Sequence, residues 1–212
     1  MSISIKLLDS VRSIEKKVNA AIAKQANSIT SKNDQPSRRK IYSFVYGCIQ
    51  EQPEIASLRS GGQGSLAAQF GIPAGQESSV ADAIVTSIAA ATKVNISKFN
   101  QKLQGSIEIS FQPASFANLS GLPGTVIHTD LGVRLEWLDW LLKEGGRVII
   151  VGYEYAASSG GRSRGGIMRA GNSWRVPTQF SGTADDNFIT RAFADREKEL
   201  QGLLGSFLGS KF

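Results

Sequence analysis

Apolar residues recur at helical spacing near the amino terminus. Steps of four and three residues separate Leu7, Val11, Ile14, Val18 and Ala21. Because residues at this spacing share one face of an α-helix, the pattern predicts an amphipathic helix over residues 1–30. We expect its apolar face to pack in the protein's own core, with packing on a neighbouring subunit as the alternative.

The next stretch of the chain is polar and then becomes apolar again at helical spacing. Residues 28–37 read SITSKNDQPS, which favours a linker. Pro36 suits the first turn of a new helix, because its missing N–H needs no partner there. The apolar positions that follow are Ile41, Phe44, Val45, Cys48 and Ile49. They predict a second helix that buries one face, with Cys48 in the core, and that ends at Pro53.

Two further patterns predict a third helix followed by a strand. Ser79 and Asp82 have the spacing of a capping box at a helix start. Helical spacing of apolar residues continues at Val80, Ile84, Ile88 and Ala91. Apolar and polar residues then alternate, with Ile107, Ile109 and Phe111 on one side, which predicts a half-buried strand.

The strongest strand signal lies in the carboxyl-terminal half. Residues 147–155 (RVIIVGYEY) are rich in β-branched and aromatic side chains, and residues 167–176 (IMRAGNSWRV) follow after a turn at 158–166. This order predicts an antiparallel hairpin, with Gly171 and Asn172 at a bulge or secondary turn.

Two helices are predicted to flank the hairpin. Residues 135–142 are apolar on most sides, which is typical of a deeply buried helix. Residues 185–207 predict a closing helix, with Ser181 or Thr183 as its N-cap and acidic residues in its first turn.

The order of these elements predicts an α+β fold. Amino-terminal helices precede an antiparallel, hairpin-rich sheet with a buried helix, and a carboxyl-terminal helix follows. We divide the chain into a helix over 1–30 and a single α+β domain over 36–212. In that domain the helical part spans 36–100, the sheet part 105–180 and the closing helix 185–207.

Positive charge is concentrated in two regions of the 212-residue chain. The net charge is +6, and residues 1–50 hold nine Lys and Arg against three Asp and Glu. Residues 146–184 hold five against one. These regions could face nucleic acid, an acidic partner or water. No long apolar run and no signal peptide are recognisable, so we expect a cytosolic chain without membrane contact.

Few residues offer chemistry for catalysis. The sequence has one histidine, His128, and no G-x-S-x-G motif that would supply a serine nucleophile for it to activate. Cys48 lies on a predicted core face, where a reactive thiolate is disfavoured. One cysteine and one histidine are too few for a structural zinc site. The GGQGS segment at 61–65 lacks the Gly-Lys-Ser/Thr of a phosphate loop. We therefore expect no catalytic residue, no cofactor and no metal, and a protein that is not an enzyme.

The predicted hairpin turn presents Arg162 and Arg164 between glycines, in the sequence GGRSRGG. Arginines of this kind bind phosphate backbones without reading base sequence. They also keep a hairpin edge soluble or contact an acidic surface on a neighbouring protein, and we favour these two roles over nucleic-acid binding.

Several segments resemble structural proteins from the neck of contractile-tailed bacteriophages. The resemblance covers the region from Leu135 to Arg191 and its immediate flanks. It is carried by the segments EWLDWLLKEG, VIIVGYEY, SRGGIM, WRVP and GTADDNFITRAF. Residues 51–72, from EQPEIASLRSG to AAQFGI, are also similar to these neck and tail-completion proteins, which join the phage head to the tail.

The resemblance implies a virion protein that is assembled in the host cytoplasm. It would form a ring with copies of itself, bound to a connector or portal-side protein on one side and to a tail tube or terminator protein on the other. DNA would pass through the lumen and contact the ring without sequence preference. On this basis the candidate lumen or subunit contacts are Arg162, Arg164 and Arg169. The candidate docking or packing residues are Phe188, Ile189, Arg191 and Phe193.

Two other functions stay open on the sequence. One is a different tail or baseplate assembly component of the same phages. The other is a sequence-independent nucleic-acid-binding protein, which the basic regions would serve.

Overall fold

The computed structural model describes residues 9–113, 115–128 and 132–209. Within these ranges the helices are α1 Val11–Gln50, α2 Pro53–Ser60, α3 Leu66–Phe70, α4 Glu77–Ala91, α5 Trp137–Lys143, α6 Phe188–Arg191 and α7 Glu197–Phe207. The strands are β1 Lys93–Ser97, β2 Ser106–Ser110, β3 Ile127–His128, β4 Arg134–Leu135, β5 Ile150–Ala157 and β6 Gly166–Trp174. They pair antiparallel as β1–β2, β3–β4 and β5–β6. The predicted α+β class is confirmed. None of the described helices is long and apolar enough to cross a membrane.

The chain divides into two compact units. Unit 1 comprises residues 1–41, 93–110 and 197–212, and unit 2 comprises residues 42–92 and 111–196. These bounds differ from the predicted helix over 1–30 and domain over 36–212. The division falls inside α1, and β1, β2 and α7 belong to unit 1.

In unit 1, polar side chains of α1 contact α7. The Asn33 side-chain amide donates to the Phe207 carbonyl oxygen of α7 at 3.3 Å. Ser206 in the same helix donates from its hydroxyl to the Ser37 hydroxyl at 2.9 Å. Phe207 is completely buried. The polar segment of α1 therefore serves as a packing surface for α7.

These contacts explain why the predicted linker over 28–37 is wrong. α1 continues through this segment without interruption, with Pro36 inside the helix. Thr30 and Ser37 are buried, and the Thr30 hydroxyl bonds the Ala26 carbonyl oxygen at 2.9 Å within the helix. Polar residues that are satisfied by tertiary and local hydrogen bonds can stay helical despite low intrinsic helix propensity.

The apolar face predicted for the first helix lies outside the core. Val11 is 79% exposed, and Val18 and Ile22 are about half exposed. The buried face of this part of α1 carries Ala23 and Thr30 instead. The expectation of core packing is therefore wrong for these residues, and Leu7 lies outside the described part of the chain.

The hairpin β1–β2 completes unit 1. The predicted strand is β2, and its partner β1 lies in a region that was assigned to the helical part of the domain. Val94 pairs with Ile109, and Ile96 pairs with Ile107. The apolar and polar residues of β1 do alternate, but five residues are too few to distinguish a strand from the end of the preceding helix.

Unit 2 has a core of short helices. Trp137 of α5 is completely buried, and its indole N–H donates to the Gly124 carbonyl oxygen at 2.8 Å. Leu138, Leu141 and Leu142 are buried with it, so the predicted buried helix is confirmed. α4 begins at Glu77, and its N-cap residue Gln76 makes no side-chain capping bond. The predicted capping box at Ser79 is therefore wrong.

The predicted long hairpin is confirmed as β5–β6. Val151 pairs with Ser173 and Tyr153 pairs with Ala170, so Gly152 opposes two residues, Gly171 and Asn172. This extra residue in β6 is the predicted bulge. Gly152 has a φ of +78°, which a residue with a side chain rarely adopts.

The closing segment forms two helices instead of the single predicted one. α6 ends at Arg191, Asp195 has a φ of +60°, and α7 begins at Glu197. The N-cap of α6 is Asn187, not Ser181 or Thr183. Its side-chain oxygen accepts from the backbone N–H groups of Ile189 and Thr190, at 3.0 and 3.3 Å. Asp185 and Asp186 therefore precede the helix.

Candidate functional site

The Arg/Gly turn of the β5–β6 hairpin is bound to the rest of unit 2. The Tyr155 hydroxyl donates to the Gly165 carbonyl oxygen at 2.7 Å and accepts from the Gly64 N–H at 2.8 Å. The buried Ser163 hydroxyl approaches the Ala68 carbonyl oxygen at 3.5 Å. The turn is therefore anchored at its base and does not project freely into solvent.

Glycines make this close approach possible. A Cβ atom at Gly165 would lie 2.6 Å from the Ala68 Cβ and would overlap the Gly62 carbonyl oxygen. A Cβ atom at Gly166 would overlap the Tyr155 ring. Gly165 thus has a packing role against Gly62 and Ala68, and Gly166 has one against Tyr155.

The three candidate contact arginines have different surroundings. The Arg162 guanidinium donates from Nη1 to the His128 carbonyl oxygen at 3.0 Å. Arg169 binds Glu154 through Nε and Nη2, at 3.0 and 2.7 Å. The Arg164 side chain is exposed, and its guanidinium makes no hydrogen bond or ion pair with any residue in the described ranges. Among the three, Arg164 has the guanidinium that is most available to a partner.

A cavity of about 420 Å³ lies in unit 2 beside the same hairpin. Its walls are mainly aromatic and aliphatic, and they include Phe70, Trp140, Tyr155, Met168 and Trp174. The Trp174 indole N–H donates to the Gln69 side-chain oxygen at 3.2 Å. Arg162 is the charged residue of the lining. The cavity is apolar and offers few polar groups that would orient a small ligand.

The hairpin also exposes apolar side chains. Val151 is 78% exposed, Tyr153 is half exposed, and Val148 and Ile167 are nearly half exposed. Ile167 pairs with Ala156 and therefore lies on the hairpin face opposite to Tyr153. We call Val148, Val151 and Tyr153, which lie just before β5 and in it, the hairpin patch. Single exposed apolar residues are common on protein surfaces, but several on one element indicate a contact surface.

The candidate residues of the closing segment are mostly internal. Phe188 and Ile189 are buried in unit 2. Phe193 is half-buried and stacks on Phe111, with ring centres 4.3 Å apart. These three residues have packing roles within unit 2.

Arg191 takes part in a partly buried ion-pair cluster. Its guanidinium binds Glu54 at 2.7 Å and Asp186 at 3.0 Å. Desolvation by burial lowers the pKa of Arg191, but the hydrogen bonds and charges of Glu54 and Asp186 outweigh this effect and raise the pKa above its ordinary value. The guanidinium therefore stays charged and structural.

Glu54 is the residue of this cluster that the sequence did not single out. It is 1% exposed, although it lies in the first turn of α2 directly after Pro53. An acidic residue at that position is typical of a solvated helix start. Nothing in the local sequence distinguishes it from such a residue.

Cys48 and His128 are the two residues whose side chains could have taken part in catalysis. Cys48 is buried on α1, as predicted, and His128 is exposed at the end of β3. In the ranges that the structure describes, no group of three or more His, Cys, Asp or Glu residues is placed to hold a metal ion.

Comparison with protein-family models, with curated proteins and with solved structures finds no match to this chain.

Proposed function

We propose that this chain is a non-catalytic virion protein that assembles into a ring at the neck of a contractile-tailed bacteriophage. The ring would join the head connector or portal-side protein to the tail tube or terminator protein. The sequence resemblance of residues 51–72 and 135–191 supports this position in the virion.

The hairpin patch is the observation that carries the assembly part of the proposal. Burial of exposed apolar surface is the main favourable term in most protein associations. Val151 and Tyr153 lie on β5 of a two-stranded sheet, and an edge of such a sheet can also pair with another chain. A second copy of this chain is the occupant that a ring requires.

A closed ring needs two different surfaces on each copy, because its contacts are head-to-tail. The hairpin patch is one such surface. The exposed residues Val11, Val18 and Ile22 lie on one face of α1 and form the second, which we call the helix stripe. In our proposal the two surfaces belong to the contact between neighbouring copies.

Size-exclusion chromatography with light scattering tests this proposal. We expect wild-type protein, alone or with the connector protein of the same phage, to reach a fixed multiple of the 22.7 kDa chain mass. The double variant Val151→Asp/Tyr153→Asp should remain a single chain, because it places charge in the contact.

Leu208→Asp is the matched control, since Leu208 is 44% exposed and belongs to neither surface. It should assemble like the wild type. A wild-type protein that remains a single chain under both conditions would contradict the proposal, as would assembly of the double variant at wild-type concentrations.

A further inference from the structure

The two units differ in charge. Unit 1 contains 14 Lys and Arg residues against six Asp and Glu, whereas unit 2 contains ten against twelve. The net charges are therefore +8 and −2. The positive charge of the protein belongs to unit 1, and not to the unit that carries the Arg/Gly turn.

A groove of about 660 Å³ lies within this basic unit, between α1 and the connection from β1 to β2. Polar side chains from both sides contribute to its lining, namely Lys24, Ser28, Ser31, Lys98, Asn100 and Gln101, and Ala20, Ala23 and Phe99 add apolar surface. Both lysines are exposed, and neither forms an ion pair with a residue in the described ranges. The groove therefore has two available positive charges and several small hydrogen-bonding groups.

The walls of the groove are fixed in place. The Asn27 amide group donates to the Phe99 carbonyl oxygen at 3.0 Å and accepts from the Phe99 N–H at 2.8 Å. The Asn100 side-chain oxygen accepts from the N–H groups of Lys102 and Gln104, at 2.8 and 3.1 Å. These bonds hold the connection against α1 and shape its turn, so a ligand would meet a preformed surface.

Further positive charge continues along α1. Lys24 lies seven residues after Lys17, and Arg38 lies fourteen residues after Lys24. All three therefore lie on one side of the helix, at intervals of about 10 Å and about 20 Å along its axis. Lys17 is bound to Asp9 at 2.6 Å and Arg38 to Asp34 at 2.6 Å. Both pairs are partly or largely exposed, and such pairs are weak enough to exchange for another anion.

We propose that this groove of unit 1, with Lys24 and Lys98 in its lining, binds the phosphate backbone of nucleic acid without reading base sequence. Lys, Ser, Asn and Gln side chains are the groups that contact phosphate in protein–DNA complexes. An acidic polypeptide is the other partner that two lysines suit, and the polyglutamate measurement below distinguishes it from nucleic acid.

The inference does not depend on ring assembly, because a single chain contains the whole groove. It also differs from contact through the Arg/Gly turn, where Arg162 and Arg169 already have partners within the protein and Arg164 is a single available charge. In this structure the surface that suits phosphate is thus on α1 and the β1–β2 connection.

Fluorescence anisotropy with a labelled DNA duplex of arbitrary sequence tests the inference, with the full chain at several salt concentrations. We expect a logarithmic binding constant that falls linearly with the logarithm of salt concentration. The variant Lys24→Ala/Lys98→Ala should lower the steepness of this line by about two, one for each lost phosphate contact. Lys24→Arg/Lys98→Arg should restore it.

Two control variants remove the same charge elsewhere. Lys32→Ala/Lys40→Ala changes exposed lysines of α1 that do not line the groove, and Arg162→Ala/Arg164→Ala changes the hairpin turn. Both should bind nearly as the wild type does. Equal weakening by either control, the absence of wild-type binding at about 50 mM salt, or equally tight binding of polyglutamate would overturn the inference. Light scattering on the same samples reports assembly separately.

Discussion

Arg191 of α6 donates a hydrogen bond from Nη2 to Oε1 of Glu54 of α2 at 2.7 Å, across 137 residues of the chain. Glu54 is 1% exposed, and its Oε2 has no hydrogen-bond partner among the described residues. Without Arg191, a buried carboxylate would lose its cation. The ion pair therefore ties the closing segment to the helices at the start of unit 2.

Substitution of Arg191 should destabilise the protein. We expect Arg191→Ala to lower the free energy of unfolding by about 2–3 kcal/mol, because it leaves Glu54 buried without a partner. The loss is smaller than for a fully buried ion pair, because Arg191 is partly exposed. Urea unfolding measures this loss. Arg147→Ala breaks the more exposed pair with Glu144 and should cost less than about 1 kcal/mol. Equal losses for the two variants would refute a structural role of the Glu54 pair.

The close contact of Gly165 in the Arg/Gly turn with Gly62 and Ala68 predicts that a single added methyl group lowers the stability of the protein. Gly165→Ala would place that group 2.6 Å from the Ala68 Cβ. We expect a loss of about 1–3 kcal/mol, visible as a melting temperature that is several degrees lower. Gly160→Ala, whose Cβ would lie 3.4 Å from the Ser158 hydroxyl oxygen, should be tolerated. A normal melting temperature for Gly165→Ala would mean that the turn is not anchored there.

Asn187 should not be replaceable by aspartate, although both residues are good N-caps. The Asn187 side-chain N–H groups also donate to the carbonyl oxygens of Thr183 and Ala184, at 2.9 and 3.3 Å. Asn187→Asp removes these donors and brings a charge into a completely buried position. We expect it to destabilise at neutral pH by about 1–3 kcal/mol in chemical unfolding. A neutral effect would show that capping alone is the role of Asn187.

Pro36 allows a test of the continuous helix α1. A proline inside a helix costs about 3 kcal/mol relative to alanine, because it lacks an N–H and crowds the preceding turn. Pro36 is exposed, so Pro36→Ala should raise the free energy of unfolding by about 1–3 kcal/mol in thermal or urea unfolding. If the segment were a linker, the same change would instead leave stability unchanged or reduce it, since proline limits the unfolded chain.

The sequence predicted those elements whose patterns are strong and local. The β5–β6 hairpin follows from a run of β-branched and aromatic residues on both sides of a glycine-rich turn. α5 follows from its density of Trp and Leu. In α5 the side chains that define the element also form its buried contacts, whereas Val151 and Tyr153 of β5 are exposed.

The errors concern residues whose role depends on distant partners. Thr30 and Ser37 are typical of a linker in isolation, but in the structure they are buried on α1. The same limit applies to the candidate site. The sequence placed Arg162 and Arg164 in the turn, but no local pattern could show that Arg162 bonds the His128 carbonyl oxygen. Lys24 and Lys98 line one groove, and the bonds of Asn27 to the backbone of Phe99 connect the two segments that carry them.

Negative-stain electron microscopy of the purified protein, alone and with the connector protein of the same phage, tests the central claim most directly. We predict class averages of closed rings with a central opening and one fixed rotational symmetry. Val151→Asp/Tyr153→Asp should abolish these rings, and Leu208→Asp should retain them. Single particles the size of one chain under every condition, or open filaments in place of rings, would contradict assembly into a closed neck ring.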